Sequence, residues 1–67
     1  MRHDPLLNAL NVIKLLKIKK LTVKQIVYET DIKTRTVYRL LEVISLCLPL
    51  CQEKLEFEKA KIYWIMP

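Results

Sequence analysis

The stretch from Thr22 to Arg39, Thr-Val-Lys-Gln-Ile-Val-Tyr-Glu-Thr-Asp-Ile-Lys-Thr-Arg-Thr-Val-Tyr-Arg, narrows the fold of this chain more than any other. Thr22 and Gln25 have the spacing of a capping box, in which each side chain satisfies a backbone N–H left open at a helix start. A helix is therefore predicted over about 23–29. Val23, Ile26 and Val27 give it an apolar face at three-and-four spacing. Thr30-Asp31-Ile32 then reads as a turn, because Thr and Asp side chains bond back to their own backbone. Val37, Leu40, Leu41 and Ile44 supply the buried stripe of a further helix over about 34–47. Lys33, Thr34, Arg35, Thr36, Tyr38 and Arg39 are left for its first turns and exposed face. Two short helices about a tight turn, the second opening on basic and hydroxyl side chains, form a helix-turn-helix pattern.

On either side of this unit the pattern is equally directional. Asp4 before Pro5 marks a helix start, with Asp as N-cap and Pro at the first helical position. That first helix is expected to run over about 5–19, with Leu6, Ala9, Leu10, Ile13 and Leu16 as its buried stripe. Leu7, Val12, Leu15 and Ile18 fall outside the stripe, more apolar surface than a short amphipathic helix requires. They point to a second buried contact: a homodimer seam, a missing domain or a packing partner within the chain. After Cys47 the helix is expected to stop, since Pro49 disfavours helix at Leu48. Residues 50–55 and 60–66 read as two antiparallel strands joined around 56–59. Ala60, Ile62, Trp64 and Met66 alternate with Lys61, Tyr63 and Ile65, and the first set, Trp64 included, is assigned to the core face. An isolated hairpin is barely stable, so this one is expected to pack on the helices.

Arg35-Thr36-Val37-Tyr38-Arg39, about one turn after a Thr22-Val23 helix start, together with the terminal Ile62-Tyr63-Trp64-Ile65, resembles the N-terminal winged helix-turn-helix of DeoR-like bacterial transcription regulators. The resemblance spans roughly Leu6 to Met66. It departs from the family in two places: the chain has no glycine for the turn or the wing, and Lys33-Thr34 stands where Ser or Thr usually caps the recognition helix. The fold it implies is α+β, mainly α, with three helices followed by a two-stranded antiparallel wing in a single domain. The function it implies is binding of double-stranded DNA, as a small stand-alone regulator of plasmid or phage type or as the DNA-binding part of a larger one.

Composition agrees with a small DNA-binding domain and excludes several other classes. Sixty-seven residues allow one small core, burying only about 60% of the unfolded surface. At 52% hydrophobic the chain is not of the disordered type. No apolar run approaches the ~20 residues of a membrane span, and Met1-Arg2-His3-Asp4-Pro5 lacks signal-peptide architecture, so a cytoplasmic protein is expected. The net charge of +5 is unevenly spread. Residues 1–39 carry nine basic and three acidic side chains, or +6, while residues 40–67 carry three and four, or −1. The positive field belongs to the helical half, where it attracts phosphate in a salt-sensitive way.

The residues expected to carry binding follow from this. Arg35 has the planar fork that bonds bidentately to guanine. Arg39, one turn later, is placed to read a second base or clamp phosphate. Lys33, Thr34 and Thr36 suit phosphate contacts beside free amides at the helix start. Tyr38 offers a ring to a thymine methyl or a hydroxyl to phosphate. Lys19, Lys20 and Lys24 are assigned to flanking phosphates, with helix-dipole neutralisation as a second use of the run Lys17 to Lys20. Glu53, Glu56 and Glu58 weigh against a wing on phosphate, and Lys54, Lys59 and Lys61 do not reverse the sign; a protein partner is the other use of the wing. Cys47 and Cys51 are expected to be buried reduced thiols, because a Cys-x3-Cys pair and the distant His3 do not make a four-ligand site. No catalytic grouping, metal, cofactor or small-molecule effector is expected. The alternative function is a winged-helix protein-interaction module that uses the apolar first helix and the acidic wing.

Overall fold

The computed structural model describes residues 4–56 and 59–66; Arg2, His3 and Glu58 lie outside them. It is a small, mainly helical α+β fold of three helices and a three-stranded antiparallel sheet. In chain order these are α1 (Pro5–Ile18), β1 (Leu21–Thr22), α2 (Val23–Thr30), α3 (Thr34–Cys47), β2 (Leu50–Lys54) and β3 (Lys61–Ile65). The sheet order is β1-β3-β2, so the last strand lies in the middle.

Local chemistry explains each boundary. The Asp4 side chain accepts from the Leu6 and Leu7 amides at 3.1 and 3.2 Å, with Pro5 in the first turn. At the start of α2 the capping box is complete. The Thr22 hydroxyl accepts from the Gln25 amide at 3.2 Å, and the Gln25 side chain accepts from the Thr22 amide at 2.9 Å. The α2–α3 turn works without glycine. Asp31 takes the left-handed conformation (φ 57°, ψ 26°) and donates its amide to the Val27 carbonyl at 2.8 Å. The Thr30 hydroxyl donates to the Ile26 carbonyl at 2.7 Å and accepts from the Ile32 amide at 3.3 Å, turning buried Ile32 into the core. Leu48 leaves α3 in extended conformation ahead of Pro49.

Asp31 holds a position that glycine fills at lower steric cost, and it places an acidic residue at the C-cap of α2, the negative end of the helix. Asp31→Gly is therefore expected to stabilise the fold by about 0.5–1 kcal/mol, raising the thermal midpoint by roughly 2–8 °C. A melt followed by circular dichroism checks this, and an unchanged or lowered midpoint would contradict it.

The core draws on every helix. Val12 and Leu16 of α1, Ile26 of α2 and Val37 of α3 are the largest fully buried side chains. Leu21, Val23, Ile32, Leu40, Leu41, Ile44 and Ile65 close around them. Each fully buried aliphatic side chain contributes roughly 1.5–3 kcal/mol of transfer free energy.

Four expectations are corrected. The sheet has three strands, not two, because Leu21 and Thr22 run extended between the end of α1 and the α2 cap. There they pair with Tyr63 and Ile62. The buried face of α1 is Asn8, Val12 and Leu16, with Ala9, Ile13 and Leu15 packed beside it; Leu6 (70% exposed) and Leu10 face outward. Val12 is wholly buried and Leu15 half-buried against the core, so of the residues offered as a seam only Leu7 and Ile18 stand exposed, and the second contact of Val12 and Leu15 lies within the chain. Apolar residues surround α1, and packing on α2, α3 and β3 chose the phase. The hairpin is also turned over. Leu50 opposes Ile65 and Leu21 opposes Tyr63 on the core side, whereas Trp64 opposes Cys51 on the outer face. Both parities of β3 are apolar, and its neighbours in β1 and β2 decide between them. Finally, Cys47 is exposed and Cys51 half-buried, both as free thiols.

Candidate functional site

The start of α3 differs from the other two helix starts. Lys33 occupies its N-cap position in extended conformation and makes no side-chain cap hydrogen bond. Its first helical amide bond is from Val37 to the Lys33 carbonyl, at 3.0 Å. The amides of Thr34, Arg35 and Thr36 precede it, at the positively polarised end of the helix. Around them Lys33, Thr34, Arg35, Tyr38 and Arg39 are exposed and Thr36 is half-buried. Val37, in their midst, is fully buried and anchors the segment.

Arg35 and Arg39 lie one helical turn apart on the same face, with exposed Glu42 in the next turn. Among the described residues neither arginine has a carboxylate within salt-bridge distance; the ion pair found there joins Lys19 to Glu29, at 3.8 Å. That bridge ties the end of α1 to α2. Lys20 lies over the Trp64 ring, 4.4 Å from its centroid, on the outer face of the sheet. Lys19 and Lys20, two of the three lysines assigned to flanking phosphates, thus each have a partner within the fold.

Lys24 goes elsewhere. It joins Thr34 and Tyr38 in an open groove of about 810 Å³ between the starts of α2 and α3 and the β2–β3 hairpin. Thr22, Val23, Val27, Ala60 and Tyr63 complete its helix and strand walls. Lys54, Lys59 and Lys61 line the hairpin side. Sequence reasoning set these three lysines aside by netting them against Glu53, Glu56 and Glu58. Strand alternation separates the signs instead. Lys54 opposes Lys61 on the face that also carries Gln52 and Tyr63, while Glu53 opposes Ile62 on the other. The signal was present as Glu53-Lys54 side by side in a strand.

Burial pushes the Tyr63 phenol above its ordinary value of 10.0, and a negative charge on Tyr38 pushes it further in the same direction. The folded state holds this proton more tightly than the unfolded chain. Its contribution to stability is complete below the unfolded phenol value and is lost as pH rises through the folded one. Stability measured against pH across the phenol range should fall less steeply for Tyr63→Phe than for the native chain; parallel curves would contradict this.

Compared with protein-family models, with characterised proteins and with solved structures, the chain matches none. Among the described residues no group of three or more His, Cys, Asp or Glu side chains could hold a metal ion. Among them, too, every buried side-chain polar atom has a hydrogen-bond partner. No described helix is long and apolar enough to cross a membrane.

Proposed function

We propose that this chain is a winged helix-turn-helix domain that binds double-stranded DNA through the start of α3. On this reading α2 and α3 are the helix-turn-helix, α3 is the recognition helix, and the β2–β3 hairpin is the wing. The observation that carries it is the pair Arg35 and Arg39, exposed on one face beside an uncapped helix start with no carboxylate bound to either among the described residues. A paired arginine would have to give up its partner to reach a base or phosphate; these do not. Arg35 takes the base-reading role, Arg39 a second base or a phosphate, and Lys33, Thr34 and Thr36 the phosphates beside the free amides. The resemblance to DeoR-like regulators and the charge of the helical half support the same reading. They also favour a cytoplasmic transcription regulator or the DNA-binding part of one.

The test is a fluorescence-anisotropy titration of labelled duplex at about 50 and 200 mM salt. If roughly four cations neutralise phosphates, affinity should drop on the order of 100-fold between the two. No binding at the lower salt would overturn the proposal.

One observation favours a second reading, that of a protein-interaction module. The outer face of α1 exposes Leu6, Leu7 and Leu10, and Ile18 at its end is 78% exposed. A homodimer formed there would bring two recognition helices to one duplex. Sedimentation that shows concentration-dependent mass, lost on Leu6→Asp, is the expected sign of that assembly.

A further inference from the structure

Three lysines around the groove between α2, α3 and the hairpin occupy positions that cost the free fold stability. Lys24 lies in the first turn of α2, where a cation opposes the helix dipole and no acidic residue offsets it. Lys54 and Lys61 are directly opposite one another across β2 and β3, and like charges so placed repel. All three line the same groove, and Lys59 lies at its hairpin end. No described carboxylate lines the groove or bridges these lysines. Thr34, at the uncapped start of α3, and Tyr38 stand on the facing wall.

An anion in the groove would relieve each of these costs together. It would meet the dipole ends of two helices, separate the charges of Lys54 and Lys61, and accept from the Thr34 and Tyr38 hydroxyls. We infer that the groove is a phosphate-binding site held by Lys24, Lys54 and Lys61, with Lys59, Thr34 and Tyr38 at its margin. Phosphate is the anion that suits it, because its several oxygens can accept from donors on three walls at once. The phosphate is supplied either by a duplex backbone or by a free phosphorylated compound. In the first case the inference rests on the DNA reading above and adds the inner face of the hairpin to the interface. In the second it stands without that reading.

The experiment uses the isotope-labelled chain and follows backbone amides by NMR at low salt during titration with pyrophosphate and, separately, with a short duplex. Pyrophosphate should move the amides of Lys24, Thr34, Lys54 and Lys61 along saturable curves. Lys54→Gln/Lys61→Gln should weaken that binding tenfold or more. Lys14→Gln/Lys17→Gln, which removes the same charge from α1 outside the groove, should change it little. Thermal melting of the hairpin variant should show a midpoint at or above the native one, since a like-charge pair has been removed.

Duplex that moves the same groove amides, and is weakened by the same variant, assigns the phosphate to the backbone. Pyrophosphate binding in the groove without any duplex binding supports the site and contradicts the DNA reading. Duplex binding at Arg35 and Arg39 with groove amides unmoved by either anion supports the DNA reading and overturns the site. Equal loss in the hairpin and α1 variants would also overturn it, by reducing the effect to net charge.

Discussion

Alanine at both Arg35 and Arg39 is expected to weaken duplex binding by about 2–4 kcal/mol, on the order of 30- to 1,000-fold, with the fold intact. The size follows from two charge-assisted contacts, each worth roughly 1–3 kcal/mol where the guanidinium reads a base. The fold should survive because both side chains are exposed and bridge to no carboxylate among the described residues. The single variants separate their roles. If Arg35 reads a base, Arg35→Ala weakens a cognate site much more than random duplex. If it clamps a phosphate, both lose alike and the salt slope falls by about 1. Anisotropy titrations on both duplexes, beside a far-ultraviolet spectrum, make the measurement. Native affinity in the double variant would remove α3 from the interface.

Val12→Asp is expected to unfold the domain, whereas Leu6→Asp is expected to leave it folded. A domain of this length has roughly 3–10 kcal/mol of stability in total. A carboxylate at Val12 would stand at a position with no solvent exposure, and burying it unpaired costs several kcal/mol beyond the lost packing. Leu6 is largely exposed in the first turn of α1, where an acidic side chain interacts favourably with the helix dipole. Its replacement should shift stability by no more than about 0.5 kcal/mol. Thermal or urea melts of the two variants read the rotation of α1 directly. The opposite outcome, with Leu6→Asp unfolded and Val12→Asp folded, would mean that α1 packs through its Leu6–Leu10 face.

What the sequence made legible was local. Asp4-Pro5, the Thr22–Gln25 box, the Thr30–Ile32 turn and Leu48-Pro49 announce element ends by hydrogen bonds within a few residues, and the helix boundaries fall close to them. The core face of α3 was equally plain, since Val37, Leu40, Leu41 and Ile44 recur at helical spacing and are its buried residues, although Val43 and Leu46 leave apolar surface outside that stripe. What the sequence left open was every choice between two apolar faces. In α1, Val12 competes with Leu10; in β3, Tyr63 and Ile65 compete with Ile62 and Trp64. Periodicity gives the repeat but not the phase, and distant neighbours such as Leu21 and Leu50 supply it.

The candidate site divides in the same way. That Arg35 and Arg39 share one exposed face follows from helical spacing alone. That Lys19 pairs with Glu29, that Lys20 covers Trp64, and that Lys54 and Lys61 line one groove with Lys24 depends on how distant elements pack and on which strands pair and in which register. Counting charge over the hairpin hid this, because a strand sends adjacent residues to opposite sides.

The most direct test of the central claim is amide shift mapping of the native chain on addition of a short duplex at low salt. The account predicts that the amides from Thr34 to Arg39 move first and furthest, while those of Leu6, Leu10 and Ile18 stay in place. Movement confined to α1, or no movement at any duplex concentration, would contradict it.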